Sequence, residues 1–216
     1  LDDFDHCSVL RGILETSDVT GGGPELFLYQ SGYITIKDSD EFGYILGIPN
    51  EEVRQALNEM VLPALTMRKQ GDILSLQANL YRQLGTGMLD DAKKTLRSLI
   101  ADVPYSNKKL ASMDMEERYR LIISTILNAI GIRVEVERML ATGRIDLVAW
   151  LSRYIYVIEL KLSNNGGIAA AEQQITTCGY TEPFKGDTRK VVGLAVELDS
   201  EGKGLIDWKV VEEQQL

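Results

Sequence analysis

Three ionisable residues in two neighbouring strand patterns could do chemistry together. RIDLVAW (144–150) carries Asp146, and YIYVIELKL (154–162) carries Glu159 and Lys161. Because side chains on a strand alternate between its two faces, Glu159 and Lys161 share one face of the second strand, where apolar residues precede them. Apolar residues on both faces are typical of a strand at the centre of a sheet, so the pattern predicts that charged groups enter a buried region.

The expected hairpin register brings Asp146 close to Glu159. A turn centred between Ser152 and Arg153 pairs the flanking residues symmetrically and places Asp146 directly opposite Glu159. Two like charges at this spacing repel each other, and burial makes each anion costly. Lys161 could compensate the carboxylates, or a divalent cation held by both of them could. Ligands that are all oxygen favour Mg²⁺ or Mn²⁺.

These side chains suit phosphodiester chemistry. A metal ion on Asp146 and Glu159 would polarise a phosphodiester and lower the pKa of a bound water. Lys161 would steer or deprotonate that water, or offset charge in the transition state. The chain has one histidine, His6, which counts against Ser-His-Asp and Cys-His mechanisms. A simpler interpretation stays open, in which a buried Asp–Lys–Glu ion cluster only orders the hairpin.

Composition and charge are those of a globular protein with an acidic balance. The net charge is −9, with 44% hydrophobic and 25% charged residues. This balance lacks the basic footprint of a nucleic-acid-binding protein, which counts against a nuclease. Two distant cysteines, Cys7 and Cys178, predict neither a disulfide scaffold nor a zinc site. No signal peptide or membrane span is predicted, so we expect a cytoplasmic protein.

The remaining elements divide the chain into three predicted parts. Residues 1–65 combine an apolar hairpin, LFLYQSGYITI with YILGI, and a helix that starts after the N-cap Asn50, so we expect a small winged-helix-like unit. Residues 66–105 show two helical patterns, which predict a helical linker. Residues 106–216 follow the order helix, three strands, helix, two strands. That order predicts an α/β or α+β domain with one mixed β-sheet sandwiched by helices.

The motif G-R-I-D, twelve residues, E-L-K, which runs from Gly143 to Lys161, resembles the PD-(D/E)XK nuclease superfamily. More narrowly, it is similar to the nuclease-like C-terminal domain of bacterial proteins that begin with an AAA-ATPase-like domain. Glu137 lies six residues before Gly143. After the motif come the A-x-x-Q-I segment at 171–175, Tyr180 and the late segments VVGLAVEL and IDW, in an order typical of that family. The upstream LYQSGYITI and YILGIPNEEV resemble the end of the ATPase-like region.

The resemblance implies a restriction-endonuclease-like core and assigns roles to particular residues. Asp146 and Glu159 would be the acids that bind Mg²⁺ or Mn²⁺, and Lys161 would be the catalytic lysine. Gln174, on the helix that follows, would face the site and orient it.

Other residues near the motif keep two interpretations. Glu116 or Glu117 would add a carboxylate from the first helix of the domain. Glu137 is either a further acid near the metal or an exposed strand residue. Arg144 either contacts phosphate or braces the hairpin, and Gln174 taken by itself is typical of a solvated helix face.

We therefore expect a Mg²⁺-dependent nuclease that cleaves nucleic-acid phosphodiester bonds, with DNA favoured over RNA, coupled to an upstream ATPase region. No G-x-x-x-x-G-K-[ST] loop occurs in residues 1–216, so ATP would bind outside them. The alternative is a non-catalytic binding or regulatory module that keeps the nuclease fold. A winged-helix nucleic-acid reader in residues 1–65 is a weaker third possibility, because this part of the chain is acidic.

Overall fold

The computed structural model describes residues 7–14, 23–54, 56–57, 60, 70–103 and 113–213. The chain divides into two compact units, Leu1–Leu57 and Asn58–Leu216. Within the described ranges, no helix combines the length and the apolar character needed to cross a bilayer.

The first unit contains β1 (Cys7–Leu10), α1 (Arg11–Leu14), α2 (Gly23–Gln30), β2 (Thr35–Ser39) and β3 (Gly43–Gly47). Its strands form a three-stranded antiparallel sheet in the order β1-β3-β2. A tight turn joins β2 to β3, and in it Asp40 Oδ1 accepts the backbone N–H of Gly43 at 2.8 Å. The predicted N-cap is confirmed, since Asn50 Oδ1 accepts the backbone N–H of Val53 at 2.9 Å. The winged-helix-like character of this unit stays a prediction.

One strand expected in the first unit is wrong in part. LFLYQ, the beginning of the predicted strand LFLYQSGYITI, lies in α2 instead, and β2 begins only at Thr35. Two local signals favour the helix: Glu25 in its first turn interacts well with the helix dipole, and Gly32 (φ +80°) follows its end in the left-handed conformation. A short apolar run by itself does not distinguish a buried strand from a helix.

The second unit is built on a five-stranded mixed sheet covered by helices. The elements are α3 (Gln70–Thr86), α4 (Leu89–Ala101), α5 (Met115–Ala129), β4 (Arg133–Leu140), β5 (Gly143–Trp150), β6 (Tyr154–Leu162), α6 (Gly167–Cys178), β7 (Lys190–Leu198) and β8 (Leu205–Glu213). The strands lie in the order β4-β5-β6-β7-β8, and pairing is antiparallel except between β6 and β7, which are parallel and are joined by a helix. The predicted order of one helix, three strands, one helix and two strands from residue 114 is confirmed.

Helices cover both faces of this sheet, as predicted. On one face α3, α4 and α5 pack against the side chains of Tyr156, Ile158 and Leu160 from β6. On the other face α6 packs against Ile155 and Val157 of the same strand. Because β6 lies at the centre of the sheet and is covered on both faces, charged side chains on the covered part of this strand are shielded from solvent. The two helices of the predicted linker, α3 and α4, supply part of this core.

Local capping sets the ends of α5, the helix that leads into the sheet. Asp114 is its N-cap and accepts the backbone N–H of Glu116 at 3.0 Å. Gly131 follows its end with φ +82°, the left-handed conformation in which glycine commonly ends a helix. One face of the helix packs on the sheet through a stripe of buried residues: Ile122, Ile123, Ile126 and Leu127.

Candidate active site

The register of β5 and β6 is the one expected from the symmetric turn. Leu147 pairs with Ile158, and Val148 pairs with Val157. One step further along, Asp146 Oδ2 accepts the backbone N–H of Leu160 at 2.9 Å. The carboxylate of Asp146 therefore reaches across to β6 and binds the backbone of the residue that follows Glu159.

The two predicted acids are buried. Asp146 is 4% exposed and Glu159 is 1% exposed, among the lowest values for charged residues in the described chain. Lys161 is partly buried, and its Nζ donates to Glu159 Oε1 at 2.7 Å and to the backbone oxygen of Leu160 at 3.2 Å. The structure thus brings Asp146, Glu159 and Lys161 together at the carboxyl end of β6.

A third carboxylate comes from the start of α5. Glu116 Oε1 lies 3.9 Å from Lys161 Nζ, whereas the neighbouring Glu117 is exposed. Burial raises the pKa of Glu116, and the positive charge of Lys161 opposes that increase. Of the two acids that the sequence left open, Glu116 is therefore the one beside the cluster.

Burial raises the pKa of Glu159 to about 7, the negative charge of Asp146 adds to this increase, and Lys161 opposes it. A carboxyl group with this pKa exchanges its proton near neutral pH, whereas an ordinary glutamate is fully ionised there. Glu159 Oε2 is also a buried oxygen without a hydrogen-bond partner in the described chain. Such an oxygen is costly to leave unpaired, so the site is electrostatically primed for a positive partner.

Lys161 is a cation in this arrangement. Burial lowers the pKa of its ammonium group, but the hydrogen bond to Glu159 and the charges of Glu159, Glu116 and Asp146 outweigh burial and raise it. In this state Lys161 neutralises negative charge and does not accept a proton. A role as a base would need the negative charge around it to be neutralised by another group.

Gln174 lies on α6 and contacts the hairpin indirectly. Its Nε2 donates to Tyr180 Oη at 3.0 Å, and Tyr180 Oη donates to the backbone oxygen of Arg144 at 2.9 Å. Among the hydrogen bonds of the described residues, none joins Gln174 to the acids or to Lys161. Its contacts brace the beginning of β5, two residues before Asp146.

Sequence reasoning missed Arg120, a buried arginine of α5. Its Nε lies 3.2 Å from Asp146 Oδ1, and its Nη1 lies 2.5 Å from Glu137 Oε1. Arg144 Nη1 also contacts Glu137 Oε1, at 2.9 Å. Glu137 is thus an anchor for two arginines, and Arg144 braces the hairpin. The helical spacing held the signal for Arg120, because it follows Glu116 by four residues and lies on the same helix face.

The donor atoms fit a hard divalent cation. Asp146 and Glu159 are buried carboxylates on adjacent strands, Glu159 Oε2 lacks a hydrogen-bond partner among the described residues, and Glu116 lies 3.9 Å from Lys161, which also binds Glu159. Within the described residues, no three acidic, histidine or cysteine side chains converge closely enough to form a ready-made metal cage. The two strand acids are therefore the residues that would hold the ion, and the rest of its shell would come from water or substrate.

Comparison with known protein families supports a nuclease-like domain in the second unit. Residues 114–208, from the start of α5 into β8, match the model of the PD-(D/E)XK nuclease superfamily. The mixed sheet flanked by helices is the restriction-endonuclease-like architecture that this match implies. The predicted resemblance to the superfamily is thus confirmed for this segment.

A longer relative aligns with nearly the whole chain. An uncharacterized protein encoded in the vnfD 5′ region of Azotobacter chroococcum mcd 1 is 26% identical over 215 residues, which cover 93% of this chain. The chain spans 39% of the length of that relative. No solved structure matches the chain significantly.

Proposed function

We propose that residues 113–213 form a Mg²⁺-dependent nuclease domain that hydrolyses nucleic-acid phosphodiester bonds. The observation that supports it is the buried pair of Asp146 and Glu159 on adjacent strands. Lys161 binds one carboxylate oxygen of Glu159, and the other oxygen, Oε2, has no hydrogen-bond partner among the described residues. A structural ion cluster would satisfy that oxygen. A site that takes a further cation would leave it free.

Each side chain has a separate task in this proposal. Asp146 and Glu159 would hold Mg²⁺ or Mn²⁺, and the bound ion would supply Lewis-acid polarisation of the phosphodiester and a water of lowered pKa. Binding requires Glu159 to release its proton, which its pKa of about 7 allows at neutral pH. Lys161 carries a positive charge beside the same carboxylate and would stabilise negative charge that develops on the phosphate.

The proposal also includes a nucleic-acid substrate and a partner region of the same polypeptide. DNA is favoured over RNA, and an upstream ATPase region would be coupled to the nuclease domain in the full protein. The relative from Azotobacter chroococcum has much more sequence than this chain, which leaves room for such a region there. The acidic composition implies that any nucleic-acid surface is local and not the whole face of the domain.

Two substitutions test the proposal directly. Asp146→Asn keeps an acceptor for the Leu160 N–H but removes the charge, and Lys161→Ala removes the ammonium group. Both should lower Mg²⁺-dependent cleavage of DNA by at least about a hundredfold while the fold is retained. Matched controls are Glu172→Gln and Lys209→Ala, which alter an acid–lysine pair on the surface of the same unit (2.7 Å) and should cleave normally.

Cleavage that is equal in the wild type and in both site variants would contradict the proposal and point to a contaminating nuclease. Chelator should abolish the cleavage by the wild type. Circular dichroism of every variant shows whether a loss of activity reflects the site or the fold.

One feature favours the alternative, a non-catalytic binding or regulatory module. Lys161 and Arg120 already neutralise the two strand acids, and no acidic cage of three groups forms among the described residues. Titration with Mn²⁺ separates the two functions. Binding that is lost in Glu159→Gln supports the nuclease, and the absence of any binding by the wild type supports the module.

A further inference from the structure

Arg120 is a buried cation between two acids of the candidate site. Its side chain is 10% exposed and reaches from α5 to Asp146 on β5 and to Glu137 on β4. The side chain of Asp146 is 6% exposed, so the positive charge of Arg120 acts on it with little screening by water. Arg120 and Lys161 therefore supply the positive charge that the acids need without a metal ion.

The two contacts of Arg120 differ in kind. Nη1 makes a hydrogen bond to Glu137 Oε1, whereas Nε faces Asp146 Oδ1 at 3.2 Å without hydrogen-bond geometry and has no other hydrogen-bond partner in the described chain. The contact with Asp146 is therefore mainly electrostatic, and it can be broken while the guanidinium stays on Glu137.

The backbone at Glu137, the second acid that Arg120 contacts, has an unusual conformation. Glu137 has φ +54°, and among the residues that the structure describes it is the one non-glycine residue with a positive φ. The ladder between β4 and β5 is regular on both sides of Glu137 and Asp146 but lacks a pair between them. A left-handed conformation is costly for a glutamate, so the surrounding contacts with Arg120 and Arg144 must hold it there.

Both oxygens of Asp146 are engaged in this state. Oδ2 accepts the N–H of Leu160, and Oδ1 faces Arg120. A divalent cation bound to either oxygen of Asp146 would lie close to the guanidinium of Arg120, which faces Oδ1 at 3.2 Å. Two cations on one buried carboxylate repel each other, so one must leave or the affinity must fall.

We propose that Arg120 is a resident cation of the site that competes with the divalent metal for Asp146, and so sets the metal concentration at which the site fills. The inference rests on the proposed function, because it assumes that Asp146 and Glu159 hold a metal. Arg120 is a positioning residue in this scheme. Without metal it contacts both Asp146 and Glu137, and when metal binds it loses the contact with Asp146 and keeps the one with Glu137.

Calorimetric titration of the 216-residue chain with Mn²⁺ tests the inference without measuring activity. Arg120→Gln should bind Mn²⁺ at least about tenfold more tightly than the wild type, because it removes a positive charge next to Asp146. Arg120→Lys keeps the charge and should stay within about threefold of the wild type. Arg144→Gln is the matched control, since Arg144 contacts the same Glu137 but is 48% exposed, and it should also stay within about threefold.

Two results of the titration would overturn the inference. If the wild type binds Mn²⁺ and Arg120→Gln binds equally or more weakly, Arg120 does not compete, although the proposed nuclease site stands. If neither protein binds Mn²⁺, the proposed function fails and this inference fails with it. Tighter binding in Arg120→Gln that disappears when Asp146→Asn is added supports it.

A second measurement covers the case in which Arg120→Gln does not fold. Crystals of the wild-type chain soaked with Mn²⁺ should show the ion on Asp146 and Glu159 and the Arg120 Nε moved away from Asp146 Oδ1, with Nη1 still on Glu137. An ion bound by Asp146 while Arg120 keeps its 3.2 Å contact would refute the competition.

Discussion

Replacing Glu159 with glutamine should stabilise the metal-free protein at alkaline pH. Burial, together with the charge of Asp146, raises the pKa of Glu159 from 4.5 to about 7. Because the folded protein holds this proton more tightly than the unfolded chain, the stability that the proton provides is full below about pH 4.5. It is lost as the pH rises through about 7.

The size of the effect follows from that difference in pKa. Each pKa unit corresponds to ~1.4 kcal/mol, so ionised Glu159 costs the folded state ~3 kcal/mol at about pH 8.5. Glutamine is uncharged at every pH and has nearly the shape of protonated glutamate. We therefore expect Glu159→Gln to exceed the wild type by ~2–3 kcal/mol near pH 8.5, and to lie within ~1 kcal/mol of it near pH 5.

Urea unfolding in the presence of chelator measures this difference. Both tryptophans, Trp150 and Trp208, lie in the second unit, so their fluorescence reports on its unfolding. Glu172→Gln is the control, because Glu172 is a surface acid paired with Lys209 and its replacement should change stability by less than ~0.5 kcal/mol at either pH. Added Mn²⁺ should stabilise the wild type but not Glu159→Gln.

A difference between Glu159→Gln and the wild type that does not change with pH would refute this reasoning. Such a result would mean that Glu159 is ionised without penalty, and the case for a site that awaits a cation would lose its electrostatic basis. A glutamine variant that is less stable at alkaline pH would mean that the ion pair with Lys161 outweighs the cost of burial.

Two further predictions concern the supports of the site. Leu99→Ala removes a fully buried side chain of α4 from the core under the sheet and should destabilise the second unit by ~2–4 kcal/mol; a loss below ~1 kcal/mol in the same fluorescence assay would mean that α4 is a dispensable linker. Gln174→Ala removes the hydrogen bond to Tyr180 and should cost ~1 kcal/mol while the affinity for Mn²⁺ stays within about threefold; a much larger loss of affinity would restore the orienting role that the resemblance assigns to Gln174.

Local patterns predicted much of the second unit. The helix and strand order from residue 114 and the central position of β6 follow from periodicity and composition, because these are properties of short segments. The pairing of Leu147 with Ile158 was predictable for the same reason, since a short symmetric turn leaves few alternative registers. The predicted strand LFLYQSGYITI was wrong as far as Ile34, because the run LFLYQ suits a helix as well as a strand.

The sequence by itself determined that Asp146, Glu159 and Lys161 lie together, because adjacent positions on two paired strands need no distant contact to meet. Only the tertiary structure decided what else surrounds them. Arg120 and Glu116 come from α5, and their distance from Asp146 and Lys161 depends on how that helix packs on the sheet. The raised pKa of Glu159 likewise depends on burial by elements that are remote in sequence, since a strand alone in water would leave this carboxylate solvated and ionised.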